Sequence, residues 1–158
     1  VVAIHKDNLT CELIQKSGKL AVSILSETAP FSLFQHFGFQ SGRNTDKFID
    51  VPFSMTKQEL PYLTNHTTAY LDCKVVDSFD FGTHMLFLAA ISDCEVLSGE
   101  KAMTYSFYHE FVKPKPDAAS AKGWRCVVCG YVYEGEELPP DFICPWCKHG
   151  VEDFEKIV

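Results

Sequence analysis

The chain has 158 residues, 46% apolar and 22% charged, with a formal net charge of −7. The length suits one domain, or a domain with a small module, and the acidic balance argues against nucleic acid, whose phosphates need a basic patch. The longest strongly apolar run, Met85 to Ile91, falls far short of a membrane span, and no basic segment followed by an apolar stretch marks a signal peptide, so a cytoplasmic protein working away from membranes is expected.

In chain order, VVAIH reads as a strand already under way, as if the chain were processed or part of a longer one. NLTCELIQKSG predicts a helix with a cap at Asn8 or Thr10, apolar Leu9, Leu13 and Ile14, and Gly18 as its stop. Lys19–Leu25 is rich in strand-forming residues. PFSLFQHFGF predicts a short helix opened by Pro30. Thr67–Asp80 and His84–Leu97 predict two long strands, the first with a period near two through Ala69, Leu71, Cys73 and Val75. SFDFGTH supplies the turn between them, hence a hairpin, and Ser98–Glu100 supplies another turn. Cys11, Cys73 and Cys94 stand singly and read as small buried hydrophobes in a reducing compartment. At KPKPDAASAKG, prolines, small residues and lysines replace the apolar pattern, which predicts a linker. The division expected is 1–112, a mainly β domain; 113–122, a basic tether; and 123–158, a small acidic module.

Four of the seven cysteines lie in that module, as Cys126-x-x-Cys129 and Cys144-x-x-Cys147. Each pair can wrap its backbone around one metal ion. Two pairs make a tetrahedral four-sulfur site suited to zinc or iron. So short a module cannot bury a sufficient core without such a staple, and a structural zinc ribbon is one reading of it; a pair of dithiol redox motifs is another. The flanking residues, however, resemble rubredoxin: CVVCGYVY and CPWCKHGVEDF match its two metal-binding knuckles, including Gly130, Tyr131, Tyr133, Pro145 and Phe154. The loop between them, YEGEELPPDF, is cut down, as in rubredoxin-like domains attached to other redox proteins. The resemblance implies one iron on Cys126, Cys129, Cys144 and Cys147, shuttling one electron. Tyr131, Tyr133, Phe142, Trp146 and Phe154 either restrict water at the sulfurs or simply form the core of the module.

A one-electron centre needs a donor. NLTCELIQKSGKLAVSILSE, FGFQSGRNTDKF, AYLDCKVVDSFDFGTHMLFLAAISDCEVL and MTYSFYHE are together similar to the flavin-reductase family. That family has an FMN-binding split β-barrel. With the module, the whole chain resembles the high-molecular-weight rubredoxins, the NADH:rubredoxin oxidoreductase type of strict anaerobes. The fold expected is therefore mainly β: a split barrel, incomplete at its N-terminus because the family's upstream strands are not in this sequence, plus a rubredoxin-like metal domain. Lys6, Asn8 and Thr10 precede a helix, where free amides and the helix dipole favour a phosphate. Ser41, Gly42 and Arg43 offer a hydroxyl, a flexible backbone and a bidentate donor, and Lys47 adds charge; the other reading of these residues is a solvated charged loop. His84 occupies the place of a family histidine near the flavin and nicotinamide, or is structural. Tyr105 and Tyr108 are read as core rather than as flavin neighbours. The resemblance implies hydride transfer from NAD(P)H to FMN, electron transfer to iron, a flavo-diiron O2 or NO reductase as acceptor, and a homodimer with FMN at its interface. Two alternatives are a free flavin reductase with a zinc-bound docking module and a non-enzymatic electron carrier.

Overall fold

The structure, a computed structural model, describes residues 1–114, 123–147 and 149–157. Its chain falls into two units, Val1–Ala29 with Ser41–Tyr108 and Pro30–Gln40 with His109–Val158. Of the predicted linker, all but Lys113 and Pro114 lies outside the described residues.

The first unit is built on β1 (Val2–His5), β2 (Lys19–Leu25), β5 (Thr67–Asp80) and β6 (His84–Val96), with α1 (Leu9–Ser17) between the first two. The sheet order is β1-β6-β5-β2, and every neighbouring pair is antiparallel. Asn8 is the N-cap of α1, although its side chain makes no capping bond, and Thr10 lies inside the helix. Gly18 ends it with φ 66°, and its amide donates to the Ile14 carbonyl. That left-handed turn is where a glycine stop is least costly. Cys11 and Ile14 of α1 pack with Leu20, Cys73, Met85 and Phe87 of the sheet. Leu13 turns outward and is 54% exposed. Burying a side chain the size of Phe87 contributes about 1.5–3 kcal/mol, so α1 and the sheet hold each other.

The predicted β5–β6 hairpin closes at Phe81–Thr83, where the Phe81 amide donates to the His84 carbonyl at 2.9 Å and Gly82 has φ 79°. Register shifts at Asp72/Cys73 and Val75/Asp77 mark bulges that bend these long strands. A second hairpin, β3 (Phe53–Met55) with β4 (Pro61–Leu63), was not foreseen. Its strands have three residues each, too few to show a period, and its turn uses Glu59 at φ 62°. Fully buried Asp72 grips that turn, accepting from the Gln58 amide at 3.1 Å and the Gln58 side-chain amide at 2.7 Å.

Two expectations need correction. Cys11 and Cys73 are buried, but Cys94 is exposed. β1 pairs with His84–Phe87 of β6, so beyond Phe87 that strand has, among the described residues, a strand neighbour on one side only, β5. Tyr105 is 80% exposed rather than core. It opens a helical turn, α3 (Tyr105–Phe107), capped by the Thr104 hydroxyl, so the alternation that would turn it inward is absent.

The second unit contains α2 (Phe31–Gly38), with Pro30 at its N-cap, and a three-stranded sheet of order β8-β7-β9. Its strands are β7 (Gly123–Cys126), β8 (Val132–Tyr133) and β9 (Phe154–Ile157).

Candidate functional site

β7 is the central strand of the small sheet, and it delivers Cys126 at its end. The chain then reverses. The Gly130 amide donates to the Cys126 carbonyl at 2.9 Å, and the Cys126 amide to the Tyr131 carbonyl at 2.8 Å. Gly130 has φ 85°, a backbone state that a side chain resists. The second pair repeats the closure, with the Cys144 amide on the His149 carbonyl at 2.9 Å. Two like knuckles therefore face each other. Cys126 Sγ lies 3.5 Å from Cys147 Sγ, and Cys129 Sγ 3.4 Å from Cys144 Sγ. All four sulfurs fall within 4.8 Å of one another.

That donor set fits a tetrahedral metal ion. Metal–sulfur bonds of about 2.3 Å place the sulfurs about 3.8 Å apart, close to the separations found. Cys126, Cys129 and Cys144 are buried, and Cys147 is half-buried. Burial pushes the Cys129 thiol well above its ordinary value and Cys147 up to about 11. Burial also raises Cys144, but the amides of Cys147 and Trp146, together with the neighbouring Cys129 and Cys147 thiols, outweigh it and bring that thiol below its ordinary value. Amides of Tyr131 and His149 serve Cys129 and Cys147 in the same way. Such donors stabilise thiolate charge and tune the potential of a bound ion.

The aromatic residues divide into two sets. Tyr131, Trp146 and Phe154 pack against the sulfurs, together with Phe39. Tyr133 and Phe142 stand behind, Phe142 meeting Tyr131 at 6.3 Å and Phe154 at 5.5 Å between ring centroids. The first set lines the cysteine cluster, and the second packs within the module.

In the first unit, the candidate flavin residues form two groups. At the hairpin end, Lys6 is ion-paired to Asp80 at 2.6 Å. His84 opens β6 opposite His5, their rings edge-on at 4.9 Å, and its Nδ1 is 2.9 Å from the Thr83 hydroxyl. Against α1, Ser41 Oγ accepts from the Arg43 amide at 3.2 Å. A Cβ on Gly42 would lie 3.2 Å from Leu9. Arg43 pairs with Glu12 at 2.9 Å. Glu12 also holds Lys16 at 2.7 Å, and these two cations keep its carboxyl below the usual range. Lys47 is partly desolvated, which lowers its pKa. The segment Lys6–Thr10 joins the two groups along the chain. His5, Glu12 and Asp80 were missed as partners; the strand register across the hairpin would have pointed to His5, and α1's turn spacing to Glu12.

Residues 1–113 match the family described as flavin reductase like domain, and residues 124–155 the rubrerythrin, rubredoxin-like domain. The high molecular weight rubredoxin of Moorella thermoacetica is 35% identical over 187 residues, covering 99% of this chain and 81% of that protein. The chain belongs to the high-molecular-weight rubredoxin family. The ferric-chelate reductase (NAD(P)H) of Archaeoglobus fulgidus is 35% identical over 114 residues, 72% of this chain and 68% of that one. Among solved structures, an FMN-binding protein from Thermus thermophilus superposes with a TM-score of 0.56 at 23% identity, over 62% of this chain and 53% of that chain. That likeness establishes the fold of the flavin reductase like part, mainly β and of split-barrel type; the rubredoxin-like part rests on its own family match. The chain spans about half the length of that solved relative. Family membership makes the protein an oxidoreductase; its flavin reductase like domain implies a flavin, and its rubredoxin-like domain with the four-cysteine cluster implies iron. Among the described residues, no helix is long and apolar enough to cross a membrane.

Proposed function

We propose that the protein passes electrons from NAD(P)H through FMN to one iron held by Cys126, Cys129, Cys144 and Cys147, and from there to a protein acceptor such as a flavo-diiron O2 or NO reductase. The observation that carries this reading is a buried four-sulfur cluster in the same chain as a flavin reductase like domain. When bound, the flavin accepts a hydride and releases electrons one at a time, which suits a one-electron iron site. The chain's own residues supply position and charge. Ser41, Gly42, Arg43 and Lys47 hold the FMN phosphate with Lys6, Asn8 and Thr10. Glu12 and Asp80 keep Arg43 and Lys6 in place meanwhile. His84, steadied by Thr83, would serve near the flavin and nicotinamide. The tether 113–122 joins domain 1–112 to module 123–158.

A homodimer belongs to this reading. Val76, Phe79, Leu88, Ile91 and Val96 of β5 and β6 are between 42% and 77% exposed, which suits a sheet that meets a second copy. Seven unpaired thiols suit a reducing cytoplasm. The test is the anaerobic visible spectrum with metal and flavin analysis of protein from its native host. One iron and one FMN per chain, with ferric-thiolate absorption that NADH bleaches, are expected. Zinc alone, or iron that both NADH and NADPH leave oxidised, would overturn the proposal.

A further inference from the structure

The sulfur cluster has a wall that its own module does not provide. Tyr131, Trp146 and Phe154 come from the rubredoxin-like stretch 124–155. Phe39 comes from Pro30–Gln40, a segment inside the flavin reductase like match that nevertheless packs in the second unit. Its ring lies nearly parallel to that of Trp146, 10° apart with centroids at 6.2 Å. Phe31, at the start of α2, backs it edge-on at 6.0 Å. The Phe39 amide donates to the Gln35 carbonyl at 3.1 Å, which fixes Phe39 at the end of that helix. Trp146 sits between Cys144 and Cys147, and its amide serves the Cys144 sulfur. The Phe39 ring therefore stacks on the residue that closes the second knuckle. The first knuckle differs: Val127 and Val128 are 53% and 40% exposed.

We propose that Phe39, presented by α2, is a positioning residue that covers the second knuckle of the four-cysteine centre, holding Trp146 in place, excluding water and slowing metal loss. The proposal rests on the metal assignment above. It also gives a role to an aromatic helix, FSLFQHFG, that has no fully buried residue of its own. Because the first knuckle stays open, loss of the cover speeds exchange without abolishing binding.

The test uses the full chain loaded with zinc, in a Trp124→Phe background, so that Trp146 is the only tryptophan. Phe39→Ala should release zinc to a chelator about two- to tenfold faster, the range an aromatic pair is worth. Trp146 emission should become more accessible to iodide. Phe39→Tyr should restore both. Unchanged release and unchanged quenching in Phe39→Ala would overturn the proposal. Should Phe39→Ala fail to fold, Phe39→Leu against Phe39→Tyr decides: faster release in the leucine variant supports a ring-stacked cover, and equal rates refute it. If even the unsubstituted Phe39 protein takes up no zinc, the metal reading fails, while iodide quenching of Trp146 still reports whether Phe39 covers it.

Discussion

Cys144→Ser is the sharpest perturbation of the metal centre. Cys144 Sγ is fully buried, lies 3.4 Å from Cys129 Sγ and receives the amides of Trp146 and Cys147. The substitution replaces a thiolate ligand with a hydroxyl that binds zinc or iron poorly, and it leaves two amides aimed at a weaker acceptor. Structural four-ligand zinc sites bind with about 10–16 kcal/mol at neutral pH. One ligand in four is then worth about 2.5–4 kcal/mol, or about 10²–10³ in affinity. The buried positions of the second unit's cluster are three of these cysteines, so metal loss should also unfold the module. Chelator competition measures the first effect. Hydrogen exchange of β7 and β9 measures the second, with Phe87 and the first unit's sheet serving as an internal control that stays protected. Affinity within about threefold of wild type, with β7 still protected, would refute the reasoning.

Arg43→Ala should weaken FMN about tenfold or more, since a charge-assisted bond is worth about 1.5–3 kcal/mol; fluorescence titration of the flavin checks this. Lys6 is the first cause of the lowered Asp80 pKa, followed by the Gly82 amide, so Lys6→Met should raise that pKa toward the ordinary carboxylate value in an NMR titration. The sign for stability follows: the depressed carboxyl favours the fold above the ordinary value and loses that contribution as pH falls through the depressed one. Wild type and Lys6→Met should therefore differ at neutral pH and converge in acid. Gln58→Ala removes a 2.7 Å bond to buried Asp72 and should cost the first unit about 1–3 kcal/mol, read by chemical denaturation.

Where local chemistry and tertiary packing agree, the sequence was readable. Gly18 ends α1, the strand period of Thr67–Asp80 gives all of β5, and the spacing of Cys126, Cys129, Cys144 and Cys147 yields one four-sulfur cluster. Exposure was less readable, because it depends on which strand lies alongside. Cys94 sits in a good strand pattern, yet β1 stops pairing at Phe87. The β3–β4 hairpin is set by Asp72, a buried carboxylate whose partner Gln58 is distant in pattern and has no motif. Phe39 illustrates the same limit. PFSLFQHFGF announces a helix, but nothing local says that its last ring stacks on Trp146, more than a hundred residues away in sequence. Arg43 and Lys6 were chosen for their charge; their carboxylate partners became visible only with the fold.

The central claim is that electrons reach the iron from a flavin in the same chain. Anaerobic stopped-flow mixing of NADH with the FMN- and iron-loaded protein tests it most directly, comparing the intact chain with one cut at Ser120. Tethering through a segment of about ten residues, at most roughly 33 Å long when extended, supplies an effective concentration that can approach the mM range. The account predicts that bleaching of ferric-thiolate absorption in the intact chain has a rate independent of protein concentration, and that the cut protein at micromolar concentration bleaches more slowly, in proportion to its concentration. Equal rates in both, unaffected by dilution, would contradict it.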